Sequence, residues 1–494
     1  MLRTAAIIGL AIPALFSISV PGQEVAHVSD IGLDTVCSKI RSRLPRSLSR
    51  TKIPGATAAV LLPNGSLCTA VAGVSDPATE RKLTPDDPIL AGSIGKTFVS
   101  ALALQLAEEG HLNIDEKISH WLDVRPWFAH LPNGPDITVR MLMNHSSGVP
   151  NHVDEKSFYA ASLKGFDRDI AFDDLLTFIF GKKPLFAAGK GYSYADTNYI
   201  LLAIIEEDIT KSTMYDEVTR RFLKPLHLDH TSPSNKNIDP VVHGFYENAP
   251  IVKKGRLIMN PQWEWAGGGF WSTPTDLVRW AKGLYSGKVL KRSSLDALIH
   301  GTSTGEGLNY GLGVEIKDTK WGPAYGHGGE WPGYLSVMFY YPKYDIAAAV
   351  QINADGTKEA EVFGTGMIED LAGVAIDAMT GDKLSAAEQE KYRSIALAWL
   401  KLIDDGQLSE SWDHVSAELK AKYSKEVWPA TLKPLLSFAG KLRGRQPDRV
   451  VKTADRTISV DFSSSFSKLP TAAETVILKL GDDGVWHIGG YSIK

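Results

Sequence analysis

The chain has 494 residues, 44% hydrophobic and 22% charged, which is globular composition with enough length to bury a core without a metal or disulfide staple. Its formal net charge of −4 argues against nucleic-acid binding and against a polybasic membrane anchor. The length exceeds the ~100–200 residues usual for one domain, so two domains are expected.

Met1-Leu2-Arg3 is a short basic start, residues 5–20 are almost entirely apolar, and Val20-Pro21-Gly22 closes the stretch. This is the pattern of a secretory signal over residues 1–22. Pro13 and Pro21 interrupt it, and a membrane span needs ~20 unbroken apolar residues. The expected product is exported, periplasmic or secreted, with no membrane span after signal removal. A helix is predicted over 31–44, then a hairpin: a buried strand over 54–62, a Pro63-Asn64-Gly65 turn, and a returning strand over 67–73. Cys37 falls in the helix and Cys68 in the strand. One bridge and two buried thiols both remain open readings, and the spacing fits no zinc motif.

Ile89-Leu90-Ala91-Gly92 leads into Ser93-Ile94-Gly95-Lys96 and a strongly apolar helix ended by Gly110. Residues 111–230 read as mostly helical. Strand patterns return over 310–316, 335–341 and 346–352, followed by a helix over 362–379. Strands at both ends therefore bracket a helical middle, which predicts one sheet built from both chain ends with an inserted helical subdomain. Residues 380–385 are short and polar and form the expected linker. Beyond it lie a helix over 388–405, helical patterns to about residue 442, and strands over 458–462, 475–480 and 486–491.

Ser-x-x-Lys occurs three times, at Ser49/Lys52, Ser93/Lys96 and Ser465/Lys468. Ser49 runs into Ile53-Pro54-Gly55, and Ser465 lies in a strand-like, Ser-rich stretch. Ser93 alone opens an apolar helix. Residues three apart share a helix face, so Lys96 can reach the Ser93 hydroxyl. The backbone N–H of Ser93 is one of the spare donors at a helix start and can face a developing oxyanion.

Two further segments are Tyr192-Ser193-Tyr194-Ala195-Asp196-Thr197-Asn198 and Tyr325-Gly326-His327-Gly328-Gly329-Glu330. With Ser93-Ile94-Gly95-Lys96 they resemble the three motifs of the serine β-lactamases and D-alanyl-D-alanine peptidases. The variant is that of class C β-lactamases, R61-type DD-peptidases, D-aminopeptidases and related esterases. Met143-Asn144-His145-Ser146-Ser147-Gly148 and Trp265-Ala266-Gly267-Gly268-Gly269 with Ser272-Thr273-Pro274 resemble further family segments. The resemblance covers about residues 30–380. It implies an α/β, β-lactamase/transpeptidase-like fold: an antiparallel sheet flanked by helices plus an inserted helical subdomain, over 23–381. It also implies Ser93 as acylated nucleophile, Lys96 and Tyr194 sharing the proton work, and His327-Gly328-Gly329 as the strand beside the substrate. The backbone N–H groups of Ser93 and Glu330 form the implied oxyanion hole.

Two departures stand out. Asp196 replaces the Asn that usually ends the second motif, and a carboxylate beside Lys96 favours the charged lysine. His327 stands where class C β-lactamases have Lys, which favours the peptidase and esterase members. Trp263, Trp265, Trp271 and Trp331 are candidates for lining the cleft, with ordinary core packing as the alternative. No Gly-x-Ser-x-Gly elbow surrounds Ser93, and no His-Glu-x-x-His is present; His227 and His230 lack a third ligand. Residues 386–494 resemble a DUF4019-type domain, through Ala398-Trp399-Leu400, Glu410-Ser411-Trp412, Ser424-Lys425-Glu426-Val427-Trp428 and residues 484–491. That implies a second, small α+β domain of cystatin- or NTF2-like shape.

The sequence reading is thus an exported serine hydrolase. It needs no cofactor or metal and acts through a Ser93 acyl-enzyme on an amide or ester, with D-residue peptides or esters leading. The expected partner is a small-molecule or peptide substrate, with cell-wall peptide among the candidates. The alternatives are a class C-like β-lactamase and a non-hydrolytic penicillin- or peptidoglycan-binding sensor.

Overall fold

The computed structural model describes residues 33–163, 172–235, 238, 240–304, 308–380, 384–454 and 456–493. The expected signal, residues 1–22, and the linker residues 381–383 lie outside the described residues.

In chain order, the elements that frame the first domain begin with α1 (Leu33–Leu48), the hairpin β1 (Gly55–Leu61) and β2 (Leu67–Asp76), and α2 (Lys96–Glu108). They continue with α3 (Asp196–Thr210), α4 (Pro274–Tyr285), β3 (Gly322–Trp331), β4 (Tyr334–Tyr341), β5 (Ile346–Ile352) and α5 (Lys358–Thr380). Among the described residues these strands join one nine-stranded sheet, in which β5 pairs antiparallel with β1 and the order β3-β4-β5-β1-β2 forms its middle. Both chain ends thus build one sheet.

β1 is an almost unbroken apolar run because both faces of the sheet are covered. Ala59 joins the cluster under α2 and α4, whereas Ala56, Ala58 and Val60 join the cluster under α1 and α5. Strand-like alternation therefore disappears in the centre of the sheet. The single strand expected over 310–316 is instead two short strands, Asn309–Tyr310 and Glu315–Thr319. The turn between them runs through Gly313, whose φ of +82° only glycine adopts easily.

Cys37 and Cys68 form a disulfide that ties α1 to β2. The bridge reading holds, and the two-thiol alternative falls.

The second domain contains α6 (Ala386–Asp404), α7 (Trp428–Ala439) and a four-stranded meander, β6 (Leu442–Ala454), β7 (Thr457–Phe466), β8 (Ala472–Leu480) and β9 (Trp486–Ile493). Ser385 and Glu388 close a capping box at the start of α6. The domain has its own core of Trp399, Leu400, Trp428, Val460, Phe462, Val476, Leu478 and Ile488. β6 is a strand that the hydrophobic pattern does not announce. Leu442-Arg443-Gly444-Arg445-Gln446-Pro447 is basic and polar, and Pro447 sits at a register shift in its ladder. Arg445 and Arg449 are used for pairing rather than for solvation. Arg449 joins Asp461 at 2.6 Å and, across the domain junction, Asp377 of α5 at 3.2 Å. Arg43 of α1 bonds Asp370 of α5 at 3.2 Å and also Asp448 of β6.

Candidate active site

Ser93 lies in a short 3-10 turn, Gly92–Gly95, that runs directly into α2. Such tight turns commonly open helices, so the nucleophile sits just before regular α geometry and not within it. Gly92 has φ +57°, and a Cβ there would lie 2.5 Å from the Glu330 nitrogen. A side chain at Gly329 would collide with the Ala91 carbonyl. The glycines therefore let the Ser93 turn press against the edge of β3, which brings Ser93 next to Gly328, Gly329 and Glu330.

Lys96 is fully buried. Its Nζ is 2.9 Å from Ser93 Oγ and 2.5 Å from Asp196 Oδ1, and it donates to the Gly267 carbonyl. An ammonium has three hydrogens, and here three acceptors surround it. Nζ also lies 4.9 Å from the centre of the Tyr194 ring and 5.5 Å from that of Tyr199. Asp196 occupies the first turn of α3, where a carboxylate suits the helix dipole, and its backbone N–H donates to Asn151 Oδ1 at 2.9 Å.

Tyr194 is half-buried with its hydroxyl enclosed, and that desolvation pushes its phenol well above its ordinary value. The Asp196 charge adds to this, and the Ser93 hydroxyl counteracts it. Tyr194 is therefore a neutral phenol at rest.

His327 is 2% exposed. Its Nε2 meets the Tyr310 hydroxyl at 2.9 Å, and its Nδ1 meets the Gly328 carbonyl. Burial lowers its pKa, and nearby Glu315 only partly offsets this, so the ring is a neutral imidazole. Glu315 Oε1 accepts from the Gly328 N–H at 3.1 Å. Glu330 is exposed near the end of β3, and partial desolvation of its carboxyl, with the charges of Glu361 and Glu315, raises its pKa.

The structure thus brings together Ser93, Lys96, Tyr194, Asp196, His327, Gly328, Gly329 and Glu330. It also adds residues that sequence reasoning passed over. His145 packs 4.2 Å from the Tyr194 ring centre, accepts from the Ala195 N–H at 3.2 Å, and meets Tyr310 Oη at 3.3 Å. Its φ is +60°, a strained conformation for a side-chain-bearing residue. The Met143–Gly148 segment was visible as a motif, but its histidine was not given a role. Tyr310 and Glu315 carried no motif signal at all. Of the four tryptophans, Trp263, Trp271 and Trp331 are buried core residues, and Trp265 stacks on Phe172 at 5.1 Å. Ser49 follows α1 in a turn and Ser465 lies within β7, so neither reproduces the Ser93 setting.

The family model described as Beta-lactamase matches residues 40–371, more than half of the chain. The chain belongs to the beta-lactamase family. Residues 395–491 match DUF4019, a family of unknown function. Protein flp of Staphylococcus aureus (strain COL) is 25% identical over 250 residues, which is 49% of this chain and 48% of that protein. Penicillin-binding protein 4* of Bacillus subtilis (strain 168) is 24% identical over 54% of this chain and 61% of its own length. The chain spans about half the length of the first curated relatives it matches. Among solved structures, a D-stereospecific amidohydrolase from Streptomyces sp. has a TM-score of 0.57 at 24% identity, covering 66% of this chain and 98% of its own. The octameric penicillin-binding protein homologue from Pyrococcus abyssi has a TM-score of 0.56 at 18% identity, covering 92% of this chain and 99% of its own. These structures share the fold. No helix among the described residues is long and apolar enough to cross a membrane.

Proposed function

We propose that the protein is an exported hydrolase that cleaves an amide or ester bond through an acyl-enzyme on Ser93. The observation that carries this reading is the 2.9 Å contact of Ser93 Oγ with Lys96 Nζ, made at the mouth of a buried helix and under the Tyr194 ring. Because the lysine donates to Ser93 Oγ, the Ser93 hydroxyl hydrogen is left free to point toward Tyr194. As Ser93 Oγ bonds to the acyl carbon, its proton passes to Tyr194, and Tyr194 gives its own proton to the departing amine or alcohol. A phenol with a raised pKa suits this concerted transfer better than a resting phenolate. The Ser93 and Glu330 N–H groups receive the carbonyl oxygen as it gains charge. Water then attacks the acyl carbon, and the same relay runs in reverse to release the acid and restore Ser93. His327 holds Tyr310 and the strand edge.

D-residue amides and esters are the favoured substrates, as the name of the Streptomyces neighbour suggests. A neutral His327 and the carboxyls of Glu315 and Glu330 line this strand, so an anionic substrate such as a β-lactam meets no fixed positive charge there. Export is supported by the residue 1–22 pattern and by the Cys37–Cys68 bridge, since disulfides persist mainly outside the cytosol.

The test is mass spectrometry after treatment with a fluorophosphonate. Ser93→Ala should abolish labelling and turnover, whereas Ser49→Ala and Ser465→Ala should not. Wild-type activity in the Ser93 variant overturns the mechanism. The Asp196–Lys96 ion pair supports one second reading, a sensor that acylates and does not turn over, because a pinned ammonium cannot accept a proton from water. Penicillin that stays bound to Ser93 while no amide or ester turns over selects that reading.

A further inference from the structure

β3 loses one of its two neighbours part-way along. Up to Gly326 it pairs with the strand Glu315–Thr319, and the register ends at Glu315 opposite Gly326. Continuing that ladder would set residue 313 against Gly328. Gly313 turns away instead, with φ +82°, and packs so closely on Ser100 and Tyr199 that a Cβ there would collide with both hydroxyls. Among the described residues, no strand pairs with 327–331 on that side, so this stretch is an open edge beside Ser93.

In an antiparallel ladder the N–H and C=O of one residue point to the same side, and alternate residues face alternate sides. Gly328 and Glu330 therefore face the open side together, ~6.6 Å apart. Glu330 presents its N–H to the substrate carbonyl. The polar groups of Gly328 are already engaged: its N–H donates to Glu315 Oε1 at 3.1 Å, and its carbonyl accepts from His327 Nδ1. Glu315 Oε1 also lies 3.6 Å from His327 Nδ1, and its side chain is 17% exposed, so a bound molecule can touch it. The carboxylate takes the place of the ladder partner that Gly313 withdrew.

The leaving side of the scissile bond points toward this plug. The substrate carbonyl oxygen sits at the Ser93 and Glu330 N–H groups, and the departing atom takes its proton from Tyr194. The Tyr194 ring centre is 6.0 Å from that of Tyr310 and 6.2 Å from that of His327. Tyr310 is itself the cross-strand partner of Glu315. The departing residue therefore lies on the Gly328 side.

We propose that Glu315 is a specificity-determining residue that restricts the leaving group to one without a negative charge, an inference that rests on the Ser93 hydrolase reading and deepens it. A carboxylate only accepts hydrogen bonds. A leaving residue that ends in an amide, or carries a cation, can donate to Glu315. One residue advances ~3.3 Å along the edge, so a free terminal carboxylate on the first leaving residue comes within a few ångström of Glu315. There it sets acceptor against acceptor and like charge against like. The substrates are thus amides and esters of neutral or cationic leaving groups, and peptides with a free carboxylate at that position are rejected.

The experiment compares two esters with the same acyl group and scissile bond, N-acetyl-D-alanyl-D-lactate and N-acetyl-D-alanyl-D-lactamide. They differ only in a carboxylate against a carboxamide on the leaving group. kcat/KM is measured for wild type and Glu315→Gln, each checked for folding by its thermal melt. Gln keeps an oxygen for the Gly328 N–H and removes the charge. Wild type should prefer the lactamide by ~10-fold or more, the size of one close like-charge contact in a partly buried site. Glu315→Gln should bring the two values close together. A merely structural Glu315 would slow both esters alike and leave their ratio where it was. An unchanged ratio in the variant, or a wild type that prefers the lactate, overturns the proposal. If Glu315→Gln does not fold, the wild-type ratio is followed from ~0.05 to ~0.5 M salt, which screens like-charge repulsion. The ratio should then shrink, and a constant ratio overturns the proposal. A wild type that cleaves neither ester overturns it as well. With Ser93 still labelled by a fluorophosphonate, the hydrolase reading then stands without it; with no labelling, both fall.

Discussion

The Tyr310 hydroxyl donates to His327 Nε2 at 2.9 Å, and this one bond sets the tautomers of a longer chain. His327 Nδ1 faces the Gly328 carbonyl and so carries the proton, which leaves Nε2 as an acceptor. On the other side, His145 Nδ1 accepts from the Ala195 and Asn198 N–H groups, at 3.2 and 3.1 Å, so its Nε2 carries a proton and donates to Tyr310 Oη at 3.3 Å. Two neutral imidazoles and one phenol thus link the second motif to the third.

Breaking this link should disorder the strand edge without removing a reacting group. Tyr310→Phe should lower kcat/KM by ~10-fold, within the range of one lost buried hydrogen bond between neutral groups. The extent of fluorophosphonate labelling should stay complete. Full kcat/KM in that variant would show that His327 is held by other contacts.

Tyr194→Phe should be more damaging than Tyr310→Phe. Losing the relay should reduce kcat by ~10²-fold or more. Pre-steady-state acylation should slow together with turnover. Slower deacylation alone would assign Tyr194 to the second half of the reaction only.

The Cys37–Cys68 bridge closes a loop of 31 residues. Its removal in a Cys37→Ala/Cys68→Ala variant should destabilise the protein by ~3.7 kcal/mol, the value expected for a loop of that size. Thermal melts with and without a reductant measure this in the wild type. No change on reduction would mean that α1 is held by its apolar face alone.

The domain junction should be felt in stability more than in chemistry. A protein ending at residue 381 leaves Asp377 of α5 without Arg449 and leaves Arg43 without Asp448. It should still be labelled at Ser93 and should melt at a lower temperature. Arg449→Ala in the full chain should cost about 1–3 kcal/mol, less than the 3–5 typical of a fully buried pair because solvent reaches this one in part. Loss of labelling in the shortened protein would make the second domain part of the site.

Buried Glu206 of α3 supplies a pH test. It is fully buried, and burial holds its carboxyl well above its ordinary value, with Glu207 adding to the shift. The unfolded carboxyl ionises near ~4.3 and the folded one much later, so the unfolded state sheds its proton first and stability falls as pH rises above that point. Glu206→Gln should therefore raise the melting temperature by roughly 2–4 °C for each kcal/mol recovered. The gain should grow between pH 5 and pH 8. An equal gain at all pH values would point to better packing instead.

Much of this architecture could be read in the chain itself. Ser93 was separable from Ser49 and Ser465 because only it precedes an apolar helix, and β1 and β5 were legible as apolar runs. β6 was not, because it is polar and broken by Pro447, and Asp448 and Arg449 find their partners only once α1 and α5 are in place. Tyr310 and Glu315 escaped notice for a related reason. Each meets its partners across the fold, and no local spacing announces a contact between residues far apart in sequence.

The position of α1 bears on the order in which the chain can assemble. Its disulfide partner is 31 residues away, so that clasp can close while most of the chain is still being made. Arg43, on the same helix, completes its pairing with Asp448, 405 residues later. The central ladder of the first domain likewise waits for β5 to reach β1. Contacts this distant are slow to form. An emerging chain would therefore carry an oxidised, anchored helix beside an open sheet edge until β5, ending at Ile352 of 494 residues, had been delivered. The earliest helix in the structure would be among the last to find all its partners.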